Sequence, residues 1–180
     1  MNLVKLKFTA LVLAAFACSI STAAAGTILG SAENFAVLGA SAVTNTGSTT
    51  IQGDLGLWPG DLITGLGSIS ITGSVHDTDA VAQQAQVDSA AAYNFFAAQP
   101  SSPFSNLSAY DLGSVGVLQP GVYRFDSSAQ LTGLLTLDAA GDPDAFFIFQ
   151  IGTSLTTASN SVLDVINGGP NARVFFQVGS

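Results

Sequence analysis

The chain has 180 residues with four Lys or Arg, twelve Asp or Glu and one His, a net charge of −8, which argues against nucleic acid and anionic membrane surfaces as partners. Only 9% of the residues are charged while 48% are apolar, so Ser, Thr, Asn, Gln and Gly must supply most of the surface. One Cys and one His leave little from which to build a catalytic or metal centre.

Lys5 and Lys7 precede an apolar run over residues 8–17, and small residues follow through Ala23, Ala24 and Ala25 to Gly26. This pattern predicts a Sec-type signal peptide over residues 1–25 and a secreted protein. The run is too short for the roughly 30 Å hydrocarbon core of a bilayer, and Ala15-Phe16-Ala17 is a poor approach to lipidation at Cys18. Residues 26–180 then form one exported domain of 155 residues with Arg124 and Arg173 as its only fixed cations. That length supports a sizeable core. With no cysteine left, packing and backbone hydrogen bonds must hold it without disulfides.

From Phe35 to Val75, short apolar-alternating runs end at glycines: FAVLG, TTIQGDLGL and SISITGSV. Each predicts a short strand and a turn. Ile69 and Ile71 face the core, while Ser68, Ser70 and Thr72 face water. One helix is predicted over 79–98, with Thr78 as N-cap, no Gly or Pro inside and Pro100 just beyond. Its expected buried stripe is Val81, Ala85, Asp88 or Ala91, Ala92, Phe95 and Phe96. About 30 Å of helix matches about six strands at 4.8 Å spacing. Residues 99–119, with Pro100 and Pro103, read as a connecting or capping loop.

Residues 141–153, GDPDAFFIFQIGT, recur 27 positions later as GGPNARVFFQVGS, with Gly141, Pro143, Ala145, Phe149, Gln150 and Gly152 repeated by Gly168, Pro170, Ala172, Phe176, Gln177 and Gly179. Phe147, Phe149 and Ile151 face inward, as do Val174, Phe176 and Val178. The outward Phe146, Ile148 and Phe175 are also apolar and need a cover, which the helix can provide. Short strands, glycine corners and a long repeat favour a mainly β, parallel β-helix with the helix alongside over an antiparallel sandwich. A repeat unit needs a neighbour to bury its apolar face, so the gene product is expected to continue past Ser180, this chain being C-terminally truncated.

The segments LGSAENFAVLGASAVTNTGST, GDLGLWPG, ITGSVHDTDAVAQQAQ and LQPGVYRFDSSAQLTGLLTLDAAGDPDAFFIFQIGTSLTTAS closely resemble the microbial ice-binding proteins of the DUF3494 type. The resemblance implies a right-handed, roughly triangular and discontinuous β-helix with one long α-helix alongside, in which C-terminal coils insert between or beside the earliest ones. It implies a secreted, monomeric, non-enzymatic protein that binds ice through ordered water, restrains crystal growth and recrystallisation, and uses no cofactor.

The residues themselves carry weak signals for other chemistry. His76 beside Asp77 lacks a nucleophile elbow and reads as a structural hydrogen-bonding group. Asp77/Asp79 and Asp142/Asp144 match no calcium loop and read as helix capping and turn chemistry, so no metal is expected. Trp58 before Pro59-Gly60 reads as a packed corner rather than a sugar platform. Threonines in registered rungs, by contrast, present methyl and hydroxyl groups about 4.8 Å apart on a flat surface. The candidate ice-binding residues are Thr44, Thr46, Thr49, Thr153, Thr156, Thr157 and Ser159. Thr132 and Thr136 are a second choice. A surface adhesin or glycan-binding module on the same scaffold is the rival reading, and a β-helical polysaccharide enzyme using Asp residues a third.

Overall fold

Glycines and Asx turns break the chain into strands of two to six residues, because each run must end where the backbone turns a corner of the coil. The structure, a computed structural model, describes residues 28–102 and 105–179. The expected signal peptide lies outside the described residues.

Two stacks of coils follow one another. In the first, β1 (Phe35–Gly39), β4 (Asp54–Leu57) and β7 (Val75–Asp77) form one parallel sheet. β2 (Ala42–Thr44) pairs with β5 (Leu62–Thr64), and β3 (Thr49–Ile51) with β6 (Ile69–Ile71). These coils repeat every 20 residues, as in Ala42 against Leu62 and Thr49 against Ile69. The second stack contains β8 (Val117–Leu118), β9 (Gly121–Phe125), β10 (Ala129–Leu131), β11 (Leu134–Asp138), β12 (Phe146–Ile151), β13 (Leu155–Thr157), β14 (Val162–Ile166) and β15 (Arg173–Val178). Its sheets run β15-β12-β9, β10-β13 and β14-β11-β8, all parallel. The 27-residue repeat of the sequence is the β12–β15 register itself, Phe146 against Arg173 through Ile151 against Val178.

The core of the second stack is a ladder of inward residues. Phe147, Phe149, Leu135 and Leu137 are fully buried, and Tyr123, Phe149 and Phe176 stack ring on ring at 5.4 and 4.9 Å. The predicted capping loop does close an end of this stack. Leu107 and Leu112 are buried, and their amides donate to the carbonyls of Arg124 and Gln130.

The helix α1 spans Ala80–Ala97, about 27 Å at 1.5 Å per residue. Asp79, rather than Thr78, is its N-cap, with Oδ1 accepting from Ala82 N at 2.8 Å. A carboxylate suits this position because it meets both the free amides and the positive end of the helix dipole. The buried stripe is Ala82, Ala85, Ala92 and Phe96, while Val81 and Phe95 are 46% and 39% exposed. The stripe therefore starts one residue later than the apolar pattern predicts, since small alanines let the helix lie close to the sheets. Asp88 is half-buried because its carboxylate accepts from both the backbone N and the Oγ of Ser31, at 2.8 and 2.6 Å.

Contacts along α1 order the strands beneath it. Its N-terminal half meets β7, β4 and β1, residues 28–34 follow, and its C-terminal end lies on β15, β12 and β9. Phe96 stacks on Phe175 at 4.3 Å, and Ile148 and Val122 join the same cluster. The helix is thus the cover that the outward apolar residues required.

Candidate functional site

In a parallel pair, residues in register point to the same side of the sheet. On the face next to the helix-covered one, β2 and β5 place Ala42 beside Leu62 and Thr44 beside Thr64 on the outward side, Thr64 being half-buried there, with Val43 and Ile63 half-buried between them. In the second stack the corresponding strands β10 and β13 place Gln130 beside Thr156, both exposed. None of these outward residues carries a charge. The remaining face sets Thr50 beside Ser70 in the first stack and, by contrast, Asp164 beside Thr136 in the second, with Leu134 beside Val162 two residues earlier.

The seven candidate residues distribute unevenly over this geometry. Thr44 and Thr156 stand in the outward rows. Thr46 and Ser159 occupy the corners after β2 and β13, and Thr153 the corner before β13, all exposed. Thr49 and Thr157 take the other side. Thr49 shares its side of β3 with the buried Ile51, and Thr157 is registered with the buried Leu131. They do not extend the outward rows, because Thr49 belongs to β3 on the remaining face and a step of one residue along β13 reverses the Thr157 side chain. The second-choice residues divide as well. Thr136 is half-buried on the Asp164 face, and Thr132 is exposed after β10 with its amide donating to Asp111.

Thr64, Ala42, Leu62 and Gln130 belong to the same surface and were not singled out in the sequence. A signal existed: AVTNTGS at 42–48 and LITGLGS at 62–68 share Thr, Gly and Ser at a spacing of 20.

The corner beside Thr44 is rigid. Asn45 donates from Nδ2 to the carbonyl of Gly47 at 2.9 Å and to Ser68 Oγ at 3.0 Å, and its Oδ1 accepts the Thr49 hydroxyl at 2.6 Å. Gly65 sits at φ +73°, and a Cβ there would meet the Asn45 carbonyl oxygen at 2.2 Å. Two successive corners therefore lock together through one amide and one glycine.

The titratable groups serve the scaffold. His76 Nδ1 lies 2.7 Å from Asp79 Oδ2, tying the helix N-cap to β7. The Asp79 carboxyl is held below its ordinary range by the Ala82 amide and then by His76. Ser31 does the same for Asp88, the Thr132 amide for Asp111, Asn106 and Arg124 for Asp126, and Asn167 for Asp138. Burial pushes the Tyr123 phenol up. Asp142 Oδ1 accepts from Asp144 N, and Asp144 from Asn171 Nδ2, which is the turn chemistry expected of that pair. Hydrogen bonding thus accounts for His76, Asp79, Asp142 and Asp144.

Residues 37–180 match the sequence model of the family described as Ice-binding-like. An ice-binding protein of Nostoc sp. (strain HG1) is 53% identical over 159 residues, covering 88% of this chain and 57% of that protein. One from Flammulina populicola is 31% identical, covering 89% and 71%. The crystal structure of an ice-binding protein from an Antarctic biological consortium superposes with a TM-score of 0.76 at 41% identity, over 84% of this chain and 68% of the other. That of Antarctomyces psychrotrophicus gives 0.78 at 36% identity, over 84% and 73%. The chain thus spans little more than half the length of its Nostoc relative. The parallel coils, the helix laid along them and these matches agree, and the chain belongs to the ice-binding-like family, a family of ice-binding proteins rather than enzymes.

Proposed function

We propose that the complete protein is secreted and adsorbs as a monomer to ice through the outward face of β2–β5 and β10–β13 with its flanking corners, so restraining crystal growth and recrystallisation. The observation that carries this reading is the registered pair Thr44 and Thr64 beside Ala42 and Leu62, on a face whose outward side chains are uncharged. Strand spacing sets the rows about 4.8 Å apart. Methyl groups oblige neighbouring water to order around them, and hydroxyls anchor that layer by hydrogen bonds. A charge on the same face would organise water radially about itself and disrupt the layer. Many weak contacts on a rigid plane then hold the protein to a growing crystal with no reaction taking place.

Of the candidates from the sequence, Thr44, Thr46, Thr153, Thr156 and Ser159 fit this surface, and Thr64 joins them. The test is growth of a single ice crystal in a nanolitre droplet of the complete, signal-free protein, with a heat-unfolded sample as control. Faceting and a temperature gap without growth support the reading. Rounded crystals growing at the melting point from a folded sample refute it and favour the adhesin.

A further inference from the structure

Between the C-terminal half of α1 and the ends of β9, β12 and β15 runs a groove of about 240 Å3 that the ice-facing surface does not use. Three residues from neighbouring strands, Arg124, Gln150 and Gln177, share one register along it. Gln150 is occupied, donating from Nε2 to the carbonyls of Phe96 and Gln99 at 2.8 and 2.7 Å. The carboxamide of Gln177, by contrast, has no hydrogen-bond partner among the described residues. Arg124 donates its Nε to Asp126 Oδ1 at 2.7 Å, a pair that is more than half exposed. Tyr93, 42% exposed, forms the helix-side wall. Gly152 and Gly179 replace side chains at the strand ends, and a Cβ on either would collide with backbone carbonyl oxygen, at 2.5 Å from Asp126 O and 2.1 Å from Gly152 O.

We propose that this groove is a binding site for a neutral pyranose sugar. An aromatic ring accepts the apolar C–H face of such a ring, while carboxamide, guanidinium and carboxylate groups meet hydroxyls that both donate and accept. Asp126 neutralises Arg124, which disfavours phosphate or another multiply charged anion. The polar lining from Arg124, Asp126 and Gln177 disfavours a lipid or other apolar ligand. Lying below the roughly 300 Å3 at which drug-sized pockets begin, the groove suits one sugar ring. Tyr93 supplies the stacking surface, Gln177 the free donor and acceptor, and Arg124 with Asp126 the groups for adjacent hydroxyls.

The experiment is saturation-transfer NMR on the full chain, with the methyl α-pyranosides of glucose, galactose and mannose each at about 20 mM, a concentration suited to millimolar affinity. Transfer to the ring protons of at least one is expected. Tyr93→Ala and Gln177→Met should each weaken it by about fivefold or more, the loss of one hydrogen bond or stacking contact. Tyr110→Ala, at a residue outside the groove, should leave it intact. Circular dichroism of each variant and its effect on ice growth should stay as in the parent, since neither groove residue lies on the proposed ice face. Should Tyr93→Ala fail to fold, Tyr93→Leu, which keeps bulk but removes the ring, with Gln177→Met carries the same comparison. No transfer from the folded parent, or transfer unchanged in the folded variants, overturns the proposal.

Discussion

Gln150 of β12 donates its carboxamide to the carbonyl of Phe96, 54 residues earlier, at 2.8 Å, and to that of Gln99 at 2.7 Å. A sheet side chain thereby adds a donor at the end of α1, where the Phe96 carbonyl otherwise accepts from the Gln99 amide at 3.2 Å, and supplies one to the Gln99 carbonyl just beyond it. The outward row of the helix-covered sheet changes at this point from apolar Phe146 and Ile148 to an amide. The change marks where the helix stops.

Replacing Gln150 by Ala should cost about 1–3 kcal/mol, because the Gln99 carbonyl loses the Gln150 donor and the Phe96 carbonyl keeps the Gln99 amide without it. Gln150→Glu should cost at least as much, since a carboxylate offers no donor and meets the negative end of the helix dipole. Thermal unfolding followed by circular dichroism reads both. Full stability of Gln150→Ala would mean that water replaces the amide there.

Five carboxylates, Asp79, Asp88, Asp111, Asp126 and Asp138, are held below their ordinary range by the hydrogen bonds they accept. Each folded value is then lower than the unfolded one, near 3.9, so the unfolded chain binds more protons in acid. Their stabilisation is complete above about pH 5 and is lost as pH falls through the folded values. The unfolding temperature should stay level from about pH 5 to 7 and drop below about pH 4. A protein equally stable at about pH 2.5 would show that these bonds contribute nothing to folding.

Substitutions on the candidate face should separate by the direction of the side chain. Thr44→Tyr, Thr64→Tyr and Thr156→Tyr place bulk on the outward rows and should reduce ice-growth inhibition severalfold with circular dichroism unchanged. Thr46→Tyr, at the adjoining corner, should have a smaller effect. Leu134→Lys, on the face that also carries Asp164, should leave inhibition near the parent level. Equal losses on both faces would dismiss the assignment of the surface.

Phe149 lies fully buried between Tyr123 and Phe176 in the stacked ladder. Its replacement by Leu should cost about 1–2 kcal/mol and by Ala about 3–5 kcal/mol, through lost burial and a residual cavity. Urea unfolding measures the series. A Phe149→Ala protein as stable as the parent would show that the coil collapses to fill the space.

Gly56 faces Phe35 across the first pairing of the chain, where a Cβ would lie 2.5 Å from the ring. Gly56→Ala should therefore destabilise by about 1–3 kcal/mol through overpacking, with a lowered unfolding temperature as its sign.

The repeat at 141–152 and 168–179 was sufficient to determine the β12–β15 register, because in-register coils bring equivalent residues of a periodic sequence together. Alternation assigned Phe147, Phe149 and Ile151 to the core, and helix formers bounded by Pro100 located α1 to within a residue at each end. Other features depended on contacts distant in the chain. The phase of α1 was decided by close approach of alanines to the sheets, and the half-burial of Asp88 by Ser31. The two stacks repeat at different lengths, so no single period along the sequence specifies which threonines share a face. Thr44 and Thr64 become neighbours, and Thr49 and Thr157 turn away from the outward rows, only when each strand pairs with its partner. Side-chain direction reverses at every residue, and tertiary pairing selects the phase.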